Sequence, residues 1–467
     1  MGIELGRRFL LPGCALCLSA LAAHCGARTP LFEWSERGDA GAFEDAATDV
    51  GTDSIAPEAA LDAAPTACPL VPVGEPVEIL SLPDQDLHTP SMAVIDPGNP
   101  SAPAPARVAL QTVGGAIRLV ALTVHQPTPA GTVVESNAPI SLGGGMTYAQ
   151  MVHAPGELRQ LALVWGADGP GNVFRAVDIP SWTPGAPVQV ATTGWTPNGL
   201  AAGMGFVHTQ SGQYEGWGYG MTWQGGKGAA AWVAVLSPEG EVRIGPLATS
   251  APVGSDMLES SISWSGSTYL MATRFKGCTP GDVLCRERAV VVTRLRLKPG
   301  SNSIEFASSF EMGTPSWSPG YPTLDGVFVV FDEGPDSGEP RVVHVEELDQ
   351  DGNPVGPDHV VSSTARPLAR PFIGSTPTGK LVGWAEDGDG SKSDHTLGRS
   401  RVVVQGLDAS LGHEGPQLEL PISRYGSMGH PVAVPLEHPR GVLLAWSARS
   451  RTSPRNAIFV QFLPCGG

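Results

Sequence analysis

Two strand patterns recur seven times along this chain, and that repetition constrains the fold more than any single stretch does. The first is a strongly apolar run, often closing on an aromatic and an acid or glycine: RVALQTVGG, LALVWGADG, YGMTWQGG, YLMATRFKG, VFVVFDEG, KLVGWAEDG and VLLAWSAR. The second follows it and alternates more clearly: IRLVALTV, VFRAVDI, AAWVAVLSPEG, AVVVTRLRL, RVVHVEELDQDG, RVVVQGLDAS and AIFVQFL. The pairs return every 50 to 60 residues, roughly the period of a repeat architecture. No stretch holds 3.6-residue periodicity over three turns, so everything from Val71 onward reads as all-β. With 59 glycines and 44 prolines in 467 residues, the chain has the turn formers that so many short strands require.

Each repeat reads as four strands: a weaker one marked by Pro or Gly, the apolar second, the alternating third and a polar fourth. Repeats of this kind resemble the blades of a β-propeller over about Val73 to Cys465. The resemblance lies in architecture, because no WD dipeptide or kelch diglycine is present. It implies a seven-bladed β-propeller, a count that the Gly-rich stretch Gly212–Gly220 of the third repeat leaves open by one. The last repeat ends after its third strand. PVEILSL, within Glu75–Leu82, is placed to supply the missing fourth, so that strands from both ends of the domain share one blade.

The first 24 residues have the form of a secretory signal: Arg7 and Arg8, then an apolar run from Phe9 to Ala23. Its end, Leu21-Ala22-Ala23-His24-Cys25, resembles the lipobox of bacterial lipoproteins, in which the cysteine carries the lipid; His24 departs from the small residue usual there. The competing reading is ordinary cleavage near Ala22 or Ala23. Residues 25–70 then form an acidic tether, whose poverty in large apolar side chains leaves it unable to offset its ordering entropy. On this reading the domain is 71–467, held by a lipid anchor at the bacterial cell envelope, facing the periplasm or the cell exterior, as a monomer. No later run of 18 apolar residues supplies a membrane span.

With Cys25 assigned to lipid, Cys68, Cys278, Cys285 and Cys465 remain, and four cysteines allow three pairings. Cys278 and Cys285 flank the turn TPGDVL and can clasp one hairpin. Cys68, before the closing strand, and Cys465, after the last one, can pin the two ends of the ring. Either bond requires an oxidising compartment; the alternative leaves Cys68 free beside the tether.

The formal charge of -17 argues against nucleic acid as a partner and against membrane contact other than the lipid anchor. In an antiparallel four-strand repeat, the loops joining strands two to three and strand four to the next strand one leave the same face, where propellers usually carry their sites. Loops on that face hold Arg366, Arg370, Arg424, Tyr425 and His430, with Asp256 and Glu259 in the fourth repeat and Trp195 and Trp317 elsewhere; such a set suits an acidic or sugar ligand. Asp387, Asp389, Ser391 and Ser393 offer oxygens on alternate residues, the spacing of a calcium loop, against the plainer reading of a solvated acidic hairpin. Asp349, Asp351 and Asn353 give a similar pattern, although DG at a hairpin tip is first a turn signal. No other cofactor is indicated.

Motifs of metallopeptidases, α/β-hydrolases, P-loop and dinucleotide enzymes are absent from the sequence. The reading that follows is a noncatalytic, envelope-tethered propeller that binds a protein or glycan partner. The alternative is a carbohydrate-active hydrolase or lyase with its acids at the propeller mouth.

Overall fold

In the computed structural model, residues 67–466 are described apart from 97, 99–103, 127–133, 145–146, 154–159, 167–170, 192–195, 210–211, 225–230, 249–255, 277–287, 298–303, 314–317, 335–340, 365–367, 377, 387–400 and 422–430. Every element described is a strand. A short strand β1 (Val77–Leu80) precedes blade 1, formed by β2 (His88–Asp96), β3 (Ala106–Gly114), β4 (Ala116–Val124), β5 (Val134–Ser136) and β6 (Ile140–Gly143). Blade 2 holds β7 (Thr147–His153), β8 (Gln160–Gly166), β9 (Asn172–Asp178), β10 (Thr183–Pro184) and β11 (Val188–Ala191). Blade 3 holds β12 (Thr196–Thr209), β13 (Gly212–Gln224), β14 (Ala231–Leu236) and β15 (Val242–Ala248); blade 4 holds β16 (Asp256–Trp264), β17 (Tyr269–Lys276), β18 (Arg288–Leu297) and β19 (Ile304–Met312). In blade 5 the first strand is broken into β20 (Ser318–Pro319) and β21 (Thr323–Asp325), followed by β22 (Phe328–Gly334), β23 (Arg341–Glu347) and β24 (His359–Thr364). Blade 6 is β25 (Leu368–Ser375), β26 (Lys380–Glu386), β27 (Arg401–Leu407) and β28 (His413–Pro421); blade 7 is β29 (Val432–Glu437), β30 (Arg440–Arg449) and β31 (Asn456–Pro464), completed by β1.

The first strands touch in cyclic order, β2, β7, β12, β16, β21, β25 and β29, and β29 returns to β2, so seven antiparallel sheets form a closed ring. This is a seven-bladed β-propeller. The second strands of the seven repeats are β3, β8, β13, β17, β22, β26 and β30, and the third strands are β4, β9, β14, β18, β23, β27 and β31, as the repeats predict.

The hydrophobic core is divided among the blade junctions. Val330, Val343 and Val345 of blade 5 pack on Val382, Trp384 and Val403 of blade 6, while Leu381, Val402 and Val404 on the other side of blade 6 meet Leu444, Trp446 and Phe459 of blade 7. A blade is thus buried on both faces, which is why its second strand reads as one apolar run instead of alternating. Large rings fill these junctions: Trp223, Trp384 and Trp446 are at most 2% exposed. The glycines of blade 3 make room for such rings. A Cβ at Gly203 would lie 2.7 Å from the Trp264 ring, and one at Gly220 2.7 Å from Tyr269, both of blade 4.

The two ends of the domain close the ring together. β1 pairs with β31, with Val77 opposite Val460, and Val77, Ile79 and Leu80 pack against the cluster between blades 7 and 1. Cys68 is bonded to Cys465, and around the bond Leu70 bridges to Cys465, Val71 N–H donates to Pro464 O (3.1 Å) and Gly466 N–H to Pro69 O (2.7 Å). Cys68 and Leu70 are themselves buried in the cluster between blades 6 and 7. Among the described residues no helix is long and apolar enough to cross a membrane. The signal segment, Cys25, Cys278 and Cys285 lie outside the described residues.

Candidate functional site

The meander order of each sheet places the two-to-three loops and the starts of the next first strands at one end of the ring, here called the mouth. Two of the candidate acids, Asp256 and Glu259, fall in β16 at its mouth end, and Arg370 falls in β25 at the same end, two blades away. Arg366, Arg424, Tyr425, His430, Trp195 and Trp317 lie outside the described residues, as do Asp387, Asp389, Ser391 and Ser393.

Side chains that the repeats did not single out occupy the mouth end of blades 4 and 5. Arg274, near the end of β17, sets its guanidinium 5.5 Å from the centre of the Tyr321 ring, which belongs to the connection between β20 and β21. The guanidinium is attracted electrostatically to the face of the phenol ring. Behind them Asp332 of β22 is ion-paired to Arg341, the first residue of β23. Asp332 is 3% exposed, and burial raises its carboxyl above the usual carboxylate range even though Arg341 and Arg274 pull it down. Gly320 fits here because it has no side chain: its N–H donates to Asp332 O (2.5 Å), and a Cβ would stand 1.8 Å from the Asp332 carboxylate.

The same acid-to-base arrangement recurs one blade on. Glu386, last in β26, accepts from Arg401, first in β27, at 2.7 Å and 2.9 Å, and from the indole N–H of the buried Trp384 at 3.0 Å. Arg401 is further paired with Glu419 of β28. An acid closing a second strand and an arginine opening the third are visible in VFVVFDEG with RVVHVEE and in KLVGWAEDG with RVVVQGL. The pairing was therefore legible, although the sequence alone suggested only a recurring acid or glycine.

A third group is buried deeper in blade 5. The His344 ring stacks on Phe331 (5.1 Å between centroids), and its nitrogens meet Glu333 (3.3 Å) and Asp358 (2.5 Å). Burial opposes protonation of His344, but the hydrogen bonds and charges of Asp358 and Glu333 prevail and lift its pKa to about 9. Neighbouring Glu346 is raised to about 7 by burial first and then by Asp358, with His344 acting in the opposite sense. These groups join strands to one another and hold a fixed positive charge between carboxylates.

Asp349, Asp351 and Asn353 stand in the β23–β24 connection, on the face opposite the mouth. The Asp349 carboxylate accepts from Asp351 N–H (2.8 Å), Asn353 N–H (2.9 Å) and the Asn353 amide (3.0 Å), while Asp351 pairs with Arg294 of blade 4. These oxygens face N–H donors, as in a turn closed by its own aspartate. Among the described residues no group of three or more His, Cys, Asp or Glu is placed to hold a metal ion.

Fold and mouth together define the chain as a seven-bladed β-propeller closed by strands and a disulfide from both ends. The sequence matches no protein-family model and no curated protein. Among solved structures it is similar to the BP39L lectin of Burkholderia pseudomallei, at 14% identity and a TM-score of 0.51, covering 82% of this chain and 97% of the lectin. It is also similar to the propeller domain of the trilobed protease of Pyrococcus furiosus, at 10% identity and a TM-score of 0.40 over 81% of this chain and 95% of that one. An endo-arabinase of Bacteroides thetaiotaomicron aligns at 11% identity and a TM-score of 0.34, over 52% of this chain and 89% of that one. At such identities the likeness concerns the fold alone.

Proposed function

We propose that this chain is an exported, envelope-tethered propeller that binds a protein or glycan partner at its mouth without transforming it. The observation that carries the reading is how the described acids are used at this end. Asp332 is held by Arg341, Glu333 by His344 and Glu386 by Arg401, each across adjoining strands of one blade. Carboxylates engaged in this way clamp blades, and the mouth instead presents Tyr321 beneath Arg274, both half-buried. Asp256, Glu259 and Arg370, which fall in β16 and β25, belong to the proposed contact set together with Arg366, Arg424 and Tyr425. The Cys68–Cys465 bond supports export, because a disulfide of this kind persists in an oxidising compartment. Lipidation at Cys25 would supply the tether.

The test is a binding measurement with the full chain on envelope proteins and oligosaccharides, run beside an assay for released reducing ends. Partner binding that weakens in Arg370→Ala and Arg274→Ala, with no release of reducing ends, supports the reading. Release that disappears in Asp256→Ala or Glu259→Ala would instead establish the glycosidase alternative, which needs two opposed carboxyl groups at the mouth.

A further inference from the structure

Because the sheets of a propeller radiate from one axis, the space between neighbouring blades widens toward their fourth strands. At six junctions an apolar side chain of a fourth strand is buried or half-buried in that space: Leu142, Val190, Ile244, Val361, Leu420 and Val77. The junction of blades 4 and 5 is sealed only in part. Met312 of β19 is buried in its cluster at the mouth end, but Phe310, two residues back on the same face, is 36% exposed. On the facing blade Val360 of β24 is 56% exposed. It stands opposite His344, whose ring stacks on Phe331 of the same cluster, so Val360 also looks toward blade 4. The opening is bounded toward the mouth by Gly313, where a Cβ would stand 3.0 Å from the Glu333 carboxylate. At its other end lie the Arg294–Asp351 ion pair and Gly352, where a Cβ would stand 3.3 Å from Leu270.

The floor of this window is acidic, and one of its acids has no partner. Glu346, two residues beyond His344 on the same face of β23, is 8% exposed, and among the described residues no group donates a hydrogen bond to its carboxylate. The two nitrogens of His344 are engaged by Glu333 and Asp358, and Arg294 is engaged by Asp351. The next opposing positions beyond Val345↔His359 are Glu346 and Asp358, so two carboxylates face each other across the sheet. Like charges placed opposite each other destabilise a strand pair. Burial and Asp358 together hold Glu346 up at about 7, with His344 acting in the opposite sense. An acid that served packing alone has no reason to stand where the other junctions use apolar side chains.

A ligand that fits must bring a cation to Glu346 and Asp358 and apolar surface to Phe310 and Val360. Lysine and arginine side chains have this make-up, an apolar stem with a charged head, and the arginine fork matches carboxylates. Among the described residues no group is placed to hold a metal ion. The N-terminal segment of this chain has the wrong sign, since residues 33–62 hold nine acids and one base, and a second copy with a net charge of -17 is disfavoured in the same way. We propose that the window between the outer strands of blades 4 and 5 docks a basic segment of a partner protein, with an arginine or lysine between Glu346 and Asp358 and a neighbouring apolar side chain against Phe310 and Val360. This site lies on the side of the ring, separate from the mouth.

Fluorescence anisotropy with labelled, end-blocked nonapeptides of alanine and leucine tests it, the two central residues being arginine, lysine, glutamine or glutamate. With the full chain, the arginine and lysine peptides are expected to bind and the other two are not. Glu346→Gln should weaken the arginine peptide about tenfold or more, as loss of a charge-assisted contact requires. Its unfolding midpoint should hold or rise, because the facing carboxylates no longer repel. Phe310→Ser, at an exposed position, should weaken the same peptide severalfold, whereas Glu239→Gln, which removes an equal charge from an exposed turn of blade 3, should change nothing. Equal binding of the arginine and glutamine peptides, binding left intact by Glu346→Gln, an equal loss in Glu239→Gln, or no binding of any peptide would each overturn the site. If Glu346→Gln proves less stable, its carboxylate serves the fold and Phe310→Ser decides, unaltered binding there overturning the site. Binding at the mouth depends on other residues and is untouched by any of these results.

Discussion

Replacing both cysteines of the terminal clasp, Cys68→Ala with Cys465→Ala, isolates what covalent closure contributes to the ring. The two residues are separated by 397 positions, so the bond ties almost the whole described domain into one loop. In the chain-entropy treatment, cross-linking a loop of that length removes unfolded-state freedom worth about 6 kcal/mol at 25 °C, an upper figure because real bridges often deliver less. The native side of the equilibrium should change little. Val71 N–H to Pro464 O, Gly466 N–H to Pro69 O and Cys465 N–H to Arg440 O (3.0 Å) hold the same segments without the sulfurs, and β1 remains paired to β31. Alanine is chosen because Cys68 is fully buried and a serine would bring an unpaired hydroxyl into an apolar cluster. Equilibrium urea unfolding followed by tryptophan fluorescence should show a loss of about 4 to 6 kcal/mol and a steeper denaturant dependence, since an unfolded chain without the cross-link exposes more surface. The reduced parent should behave like the double variant. A loss under about 1 kcal/mol with an unchanged slope would refute the argument, because it would mean that the bond restrains an already compact unfolded ensemble.

Three further outcomes follow from buried contacts. His344, raised from 6.5 to about 9 by its contacts with Asp358 and Glu333 against the pull of burial, contributes stability that is complete below pH 6.5 and gone above about pH 9; a shift of that size corresponds to roughly 3 kcal/mol. Glu346, raised to about 7 chiefly by burial, adds a decline of the same sign between about pH 4.5 and 7, so thermal melts should fall steadily over the whole range, and His344→Gln should flatten the upper half; an unaltered slope there would sink the assignment. Arg401→Met strands the buried Glu386 carboxylate and should cost about 3 to 5 kcal/mol in chemical unfolding, most of it recovered by adding Glu386→Gln, whose neutral amide oxygen still accepts from the Trp384 indole N–H; a cost below 1 kcal/mol would show that water reaches the site. Gly320→Ala drives a methyl into the Asp332 carboxylate and should cost about 1 to 3 kcal/mol by the same measurement, with no loss expected only if the β20–β21 connection can move aside.

Strand class, closing strand and blade count to within one were legible in the sequence, which also offered Cys68–Cys465 as one pairing against a free Cys68; the structure closes seven blades and forms that bond. The legible features rest on one-dimensional quantities: the period of the repeats, the length of apolar runs and the order of segments along the chain. In five of the seven blades a buried aromatic of the second strand, Trp165, Trp223, Phe331, Trp384 or Trp446, helps to fill the wedge to a neighbouring blade, a requirement local to each repeat. The choice of Asp256, Glu259 and Arg370 for the mouth followed from strand order alone, and the structure places all three at that end of their strands. Which groups meet depends instead on how strands pair and blades pack. His344 draws Glu333 from the preceding strand and Asp358 from the following loop, and Arg274 reaches Tyr321 across a blade junction. The facing of Glu346 and Asp358 was equally hidden, because register is a property of two paired strands and leaves the alternation within either one unchanged. Periodicity specifies the side of the sheet to which a residue belongs; pairing between strands and packing between blades decide its partner.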